Sequence, residues 1–130
     1  ALPRQSVETI LDAFMAPLFE RASSGEEGWP FYFRVLSRLG DGNRWLDLLE
    51  RHFDATARVF IAALQRARPG ADHASVARGF TMMLNLMLNT VSQHGRVDRL
   101  TAGKVAASDL GSAYTPLLRF VVAGFNNVTE

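Results

Sequence analysis

The stretch FTMMLNLMLNTVSQHG, Phe80 to Gly95, decides the fold. Its first dozen residues are almost all apolar, yet Thr81, Asn85 and Asn89 interrupt them at every fourth position. That spacing is helical, since a half-buried strand would alternate with a period of two. A helix that only fills a core gains nothing from two asparagines. One that faces water would not carry Met82, Met83, Leu84, Leu86, Met87 and Leu88 around them. On a helical wheel Ala77, Phe80, Leu84, Met87, Leu88 and Val91 share one side, while Met82, Asn85, Leu86 and Asn89 share another. A helix apolar on several sides has to be covered on several sides.

The final helical stretch, from about Ser108 to Asn126, poses the same problem. Leu110, Ala113, Tyr114, Leu117, Val121, Gly124 and Phe125 form a stripe, and Phe120 and Val122 widen it. Gly111 and Gly124 would let another backbone come close. A small helical domain can hardly enclose both helices, and apolar surface beyond its own needs marks an interface. Two antiparallel helices from each of two chains make a four-helix bundle with two-fold symmetry. The expected seam of that homodimer consists of Leu84, Met87, Leu88 and Val91 with Leu110, Tyr114, Leu117, Val121 and Phe125. The competing reading is a monomeric bundle whose excess apolar surface is ordinary core.

Upstream, Ser6 is a good N-cap for a helix reaching about Ala22, with Glu8 in its first turn. Val7, Ile10, Leu11, Phe14, Leu18 and Phe19 form its stripe, and Pro17 should kink it. SSGEEGWP is a loop, PFYFRVLSRLG a short aromatic helix, and GDGN a turn. A third helix runs from about Arg44 to Ala67 and carries Trp45, Leu49, Phe53, Phe60 and Leu64 on one broad side. RPGAD ends it, and Asp72 caps the fourth helix, which Gly95 stops. RVDRLTAGKVA is a surface loop or a short helical turn. No stretch alternates as a strand, so the chain reads as one all-α domain over residues 1–130, built of five helices.

Composition narrows the function. The 130 residues are 48% hydrophobic and carry 14 basic against 13 acidic side chains, a net charge of +1. That balance is not the footprint of a surface that grips nucleic-acid backbones. There is no cysteine, so disulfides, thiolate metal sites and a cysteine nucleophile are excluded, and the chain suits a reducing, cytoplasmic setting. The start, ALPRQSVETIL, has neither an initiator methionine nor a signal-peptide pattern, as expected of a processed protein or an excised domain.

The helix order and several strings resemble the C-terminal domain of TetR-family transcriptional regulators. ILDAFMAPLFERA resembles the opening helix of that domain, FDATARVFIAALQRARPG its central helix, and VARGFTMMLNLMLNTVS with LLRFVVAGF its paired dimerisation helices. The resemblance implies a homodimer that binds a small-molecule effector, with DNA contacted only through an N-terminal helix-turn-helix module. Five residues before Ser6 leave no room for that module, so the chain reads as the sensing half of such a regulator.

The resemblance also implies a pocket among the opening, central and fourth helices. By wheel position its walls are Phe14, Phe33, Phe53, Thr56, Phe60, Met82, Met83 and Leu86, with Asn85 and Asn89 inside or at its edge and His52 within reach. An apolar wall with a few placed amides suits a lipid-like, aromatic or drug-like molecule. The asparagines have two further readings, a hydrogen bond across the dimer seam or one to a neighbouring backbone. Likewise any Phe or Met at helical spacing has an ordinary core reading, and His52 that of a satisfied, partly buried side chain.

No two of His52, His73 and His94 share a helix at metal-ligand spacing, and no cofactor is expected. Arg58 and Arg78 are expected to snorkel or to meet carboxylates such as Glu50 or Asp54, the other reading being a pairing with an acidic ligand. Glu50 and Asp54, the best-placed carboxylate pair, read as a surface charge ladder. With no phosphate loop, HExxH or GxSxG string, the chain is expected not to be an enzyme. The alternative function is a self-associating helical interaction module with a solid core and no ligand.

Overall fold

Helix α1, Val7–Ala22, begins where the Ser6 hydroxyl accepts from the Thr9 amide at 3.1 Å, with Glu8 in its first turn and Arg21 in its last. The computed structural model describes residues 5–24, 50, 51 and 53–130. The expected aromatic helix, the GDGN turn, the start of the third helix, Phe33 and His52 lie outside those residues. Val7, Ile10, Leu11, Met15, Phe19 and Ala22 form the buried face of α1. Met15, which was not on the expected stripe, is buried, whereas Phe14 and Leu18 of that stripe are only partly covered.

Helix α2, Asp54–Ala67, starts afresh after Phe53, whose φ of −128° leaves the helical range and whose side chain offers no cap. Glu50 and Arg51 are helical, so the expected long helix is interrupted on its N-terminal side. Arg58 Nη2 reaches Glu50 Oε1 at 3.8 Å with both side chains exposed, a pairing that contributes little. The end of α2 is fastened more firmly. Arg68 donates from Nη2 to the Asn126 carbonyl at 2.9 Å and from Nε to the Thr129 hydroxyl at 3.1 Å. Both acceptors belong to the end of the last helix, where carbonyls lack helical partners and a cation is favoured.

Helix α3, His73–Val91, is capped by Asp72, which accepts from the Ala74 amide at 3.4 Å. It stops short of Gly95: Gln93 adopts the left-handed φ of 57°, and Gly95 keeps an ordinary −74°. The polar segment after it forms a five-residue helix, α4, Arg96–Leu100. Helix α5, Leu110–Val128, is capped by Asp109, which accepts from the Ser112 amide at 3.2 Å, and runs through Pro116.

Helices α3 and α5 pack on one another most extensively, α1 lies against both, and α2 rests on α1 and α3. Gly79 permits the α3–α5 approach, because a Cβ there would stand 2.7 Å from Phe125 Cδ2. Leu11, Met15, Leu64, Val76, Met83, Met87 and Val91 are buried most completely. Among the described residues there is no strand, and no helix is long and apolar enough to cross a membrane.

Candidate functional site

Three phenylalanines from three helices meet between α1, α2 and α3. The Phe14 ring stands edge-on to Phe60 at 4.9 Å and to Phe80 at 5.3 Å between centroids. Such pairs contribute about 0.5–1.5 kcal/mol each beyond the area they bury. Phe80 is buried and Met83, one turn along α3, lies with it in the core, whereas Phe14 and Phe60 are only partly covered. The nest is therefore buried on the α3 side and only partly covered at the α1 and α2 rings. Phe14, Phe60 and Met83 were all expected here; Phe80 was expected on the other side of α3. Its three-residue spacing from Met83 was the available signal.

The remaining residues expected to line a pocket are placed differently. Phe53 is 37% exposed and Thr56 is exposed at the start of α2. Met82 is 56% exposed, Leu86 40%, and Asn85 and Asn89 are exposed with them. These four share the face of α3 turned away from the core. Their hydroxyl neighbours turn inward on the helix itself, Thr81 to the Ala77 carbonyl and Thr90 to the Leu86 carbonyl, both at 2.8 Å.

The residues expected on the dimer seam also divide. Met87, Val91, Leu110, Val121 and Phe125 lie in the chain's own core, at most 5% exposed. Leu84, Leu88, Tyr114 and Leu117 are partly buried against that core. Phe80, Met83, Met87 and Val91 thus line the buried side of α3, whereas Met82, Asn85, Leu86 and Asn89 are exposed. A wheel separates faces but does not say which one turns inward, and the extensive packing of α3 on α5, closest at Gly79 against Phe125, goes with burial of the Phe80–Met83–Met87–Val91 side. Of α5, Phe120 is 69% exposed on the flank adjoining Ala113 and Leu117. A Cβ at Gly111 or Gly124, both expected to admit a second backbone, would meet no other helix among the described residues.

One polar contact ties α1 to α5 within the core. The Tyr114 hydroxyl donates to Asp12 Oδ1, and the Tyr114 ring stands edge-on to Phe19 at 4.9 Å. Burial, then the hydrogen bond to Asp12, then the negative charges of Asp12 and Glu20 push the phenol well above its ordinary value. Tyr114 stays neutral at any physiological pH and acts as a fixed donor.

Residues 12–124 match the family model described as tetracyclin repressor-like, C-terminal domain. No curated protein sequence matches the chain. The family match covers most of the 130 residues, and the helix order agrees with it. The chain belongs to the family of tetracyclin repressor-like C-terminal domains, which are parts of regulators rather than enzymes and generally bind an effector and dimerise.

Proposed function

We propose that the chain is the effector-sensing and dimerisation domain of a TetR-type repressor, whose DNA contacts are made by an N-terminal module outside this chain. The observation that carries this reading is the large apolar side chains left exposed on α3 and α5, helices whose other faces fill the core. Met82 and Leu86 on α3 and Phe120 on α5 stand in water, on helices that already fill a core with their opposite faces. Large apolar side chains left exposed on a small domain indicate a partner surface. Asn85 and Asn89 share the exposed face of α3 with Met82 and Leu86, where an amide fixes register between two helices at some cost in stability.

The effector site is the Phe14–Phe60–Phe80 nest with Met83. Its ligand is apolar or aromatic, admitted where Phe14 and Phe60 are only partly covered. Rings meeting edge to edge can separate around a flat guest, and Met83 adapts its shape to the remainder. The ligand acts by population shift: it stabilises whichever arrangement of the two protomers leaves the nest open, and so changes the spacing of the DNA-binding modules.

Native mass spectrometry of the intact chain, repeated after denaturation, tests both parts. A two-chain mass carrying an additional small molecule, lost on denaturation, is the expected result. A single-chain mass at micromolar concentration would overturn the dimer and with it the coupling.

A further inference from the structure

A groove lies away from the aromatic nest, between the end of α3, the segment containing α4, and the start of α5. Its volume is about 620 Å³. That is within the roughly 300–1,000 Å³ typical of small-molecule sites and too small for a protein domain. Asn89 and Thr90 form one wall, Ser112 and Ala113 the other, and the α4 segment the floor and rim.

The α4 segment presents its apolar side chains to this groove and not to the core. Val97 is 36% exposed, Val105 50% and Leu100 69%, and α4 buries none of its residues. Yet the segment is tightly organised. Asp98 accepts from the Ala107 amide at 3.0 Å, and Thr101 accepts from the Val105 amide at 3.0 Å. The turn between them holds Ala102 at φ 52° and Gly103 at φ 81°. A non-glycine residue in the left-handed region is uncommon, and the hydrogen bonds on either side hold it there. Val97, Leu100 and Val105 are thus displayed on a fixed scaffold, which lowers the ordering cost of binding.

Charge selects the ligand. Arg96 and Lys104 border the groove, both exposed, and neither has an ion pair among the described residues. The carboxylate on the lining, Asp109, is engaged by the Ser112 amide at 3.2 Å. Asp98 of the α4 segment, which is not on the lining, accepts from the Ala107 amide. We propose that this groove binds an aliphatic carboxylate, its head held by Arg96 and Lys104 and its chain laid on Val97, Leu100 and Val105. The site is independent of the aromatic nest. Since Asn89 belongs both to its wall and to the outward stripe of α3, an occupant sits at the margin of the proposed dimer seam.

Sodium decanoate, kept below its micelle concentration, is the probe, and backbone amide NMR of the whole chain is the readout. Saturable one-site shifts centred on residues 94–107 are expected. The double variant Arg96→Glu, Lys104→Glu should weaken binding about tenfold or more, as loss of charge-assisted contacts does. Decanol should bind more weakly than decanoate to the unmodified chain. Both substituted positions are exposed, so the variant retains the fold, and its own amide spectrum verifies that. The proposal is overturned by an absence of saturable shifts, by equal affinity in the double variant, by shifts centred on Phe14, Phe60 and Phe80, or by binding only to phosphatidylglycerol vesicles.

Discussion

Tyr114 shows how one side chain can fix a helix position and leave a measurable trace. Its hydroxyl donates to Asp12 across the α1–α5 contact, and its phenol is pushed upward by burial and by that carboxylate. The folded state therefore holds the phenolic proton more tightly than the unfolded chain does. The resulting stabilisation is complete below the ordinary tyrosine value near 10 and is lost as pH rises beyond it. Tyr114→Phe keeps the ring against Phe19 but leaves a partly buried carboxylate without its donor, so it should cost about 1–3 kcal/mol at neutral pH. Urea unfolding at a series of pH values checks this: the variant should also show a shallower fall of stability above pH ~10. An unchanged slope would mean that the phenol titrates normally in the folded chain. At this scale the caps were legible, because Ser6 and Asp72 act through local hydrogen bonds that the neighbouring residues alone determine. The Tyr114–Asp12 pair was not, since 102 positions separate its members and helix order gives no register.

Among the elements, α3 and α5 carry the clearest lesson about what a wheel conveys. Both helices and their approximate ends followed from periodicity and turn residues, whereas the segment at Arg96–Leu100 was left open between a loop and a helical turn and forms the turn. What periodicity left open was which apolar side of α3 turns inward, because Met82 and Leu86 are as apolar as Met83 and Met87. The inward side is selected by a close approach at Gly79, where any side chain would meet the Phe125 ring. Gly79→Ala therefore opposes two effects. Alanine gains up to about 1 kcal/mol of helix propensity. Its methyl, 2.7 Å from Phe125 Cδ2, forces the helices apart or the ring off its rotamer. Overpacking of that kind costs about 1–3 kcal/mol, so a net loss in denaturant midpoint is expected. Gly124→Ala is the internal comparison. Among the described residues nothing stands within 4 Å of that position, so its effect in dilute, monomeric conditions should be the propensity gain alone. A stabilised Gly79→Ala would show that Phe125 yields freely and that the close approach does not set the packing.

For the whole molecule the decisive distinction is between apolar residues the chain uses for itself and those it leaves outside. Met87 is 1% exposed and Phe120 69%, although both sit on the helix pair expected to dimerise. Composition could foretell a surplus of apolar surface but not its address, because one chain's core and a two-chain seam draw on the same residue types. Substitution separates them. Met87→Ala empties core volume and should cost about 2–5 kcal/mol in any oligomeric state. Phe120→Lys removes nothing from the core and puts a charge where the proposed seam must be dry, so it should yield a folded monomer. Mass action supplies the test. A dimer's melting temperature rises with protein concentration, because association stabilises only the folded state. The unmodified chain should show that dependence and sediment as two chains. Phe120→Lys should sediment as one chain and melt at a temperature independent of concentration, with its helical circular dichroism retained. If instead Phe120→Lys still sediments as a dimer, the exposed apolar side chains of α3 and α5 are not the seam. The partner surface must then be sought elsewhere, with Val59 at 65% exposure on α2 the next apolar residue to change.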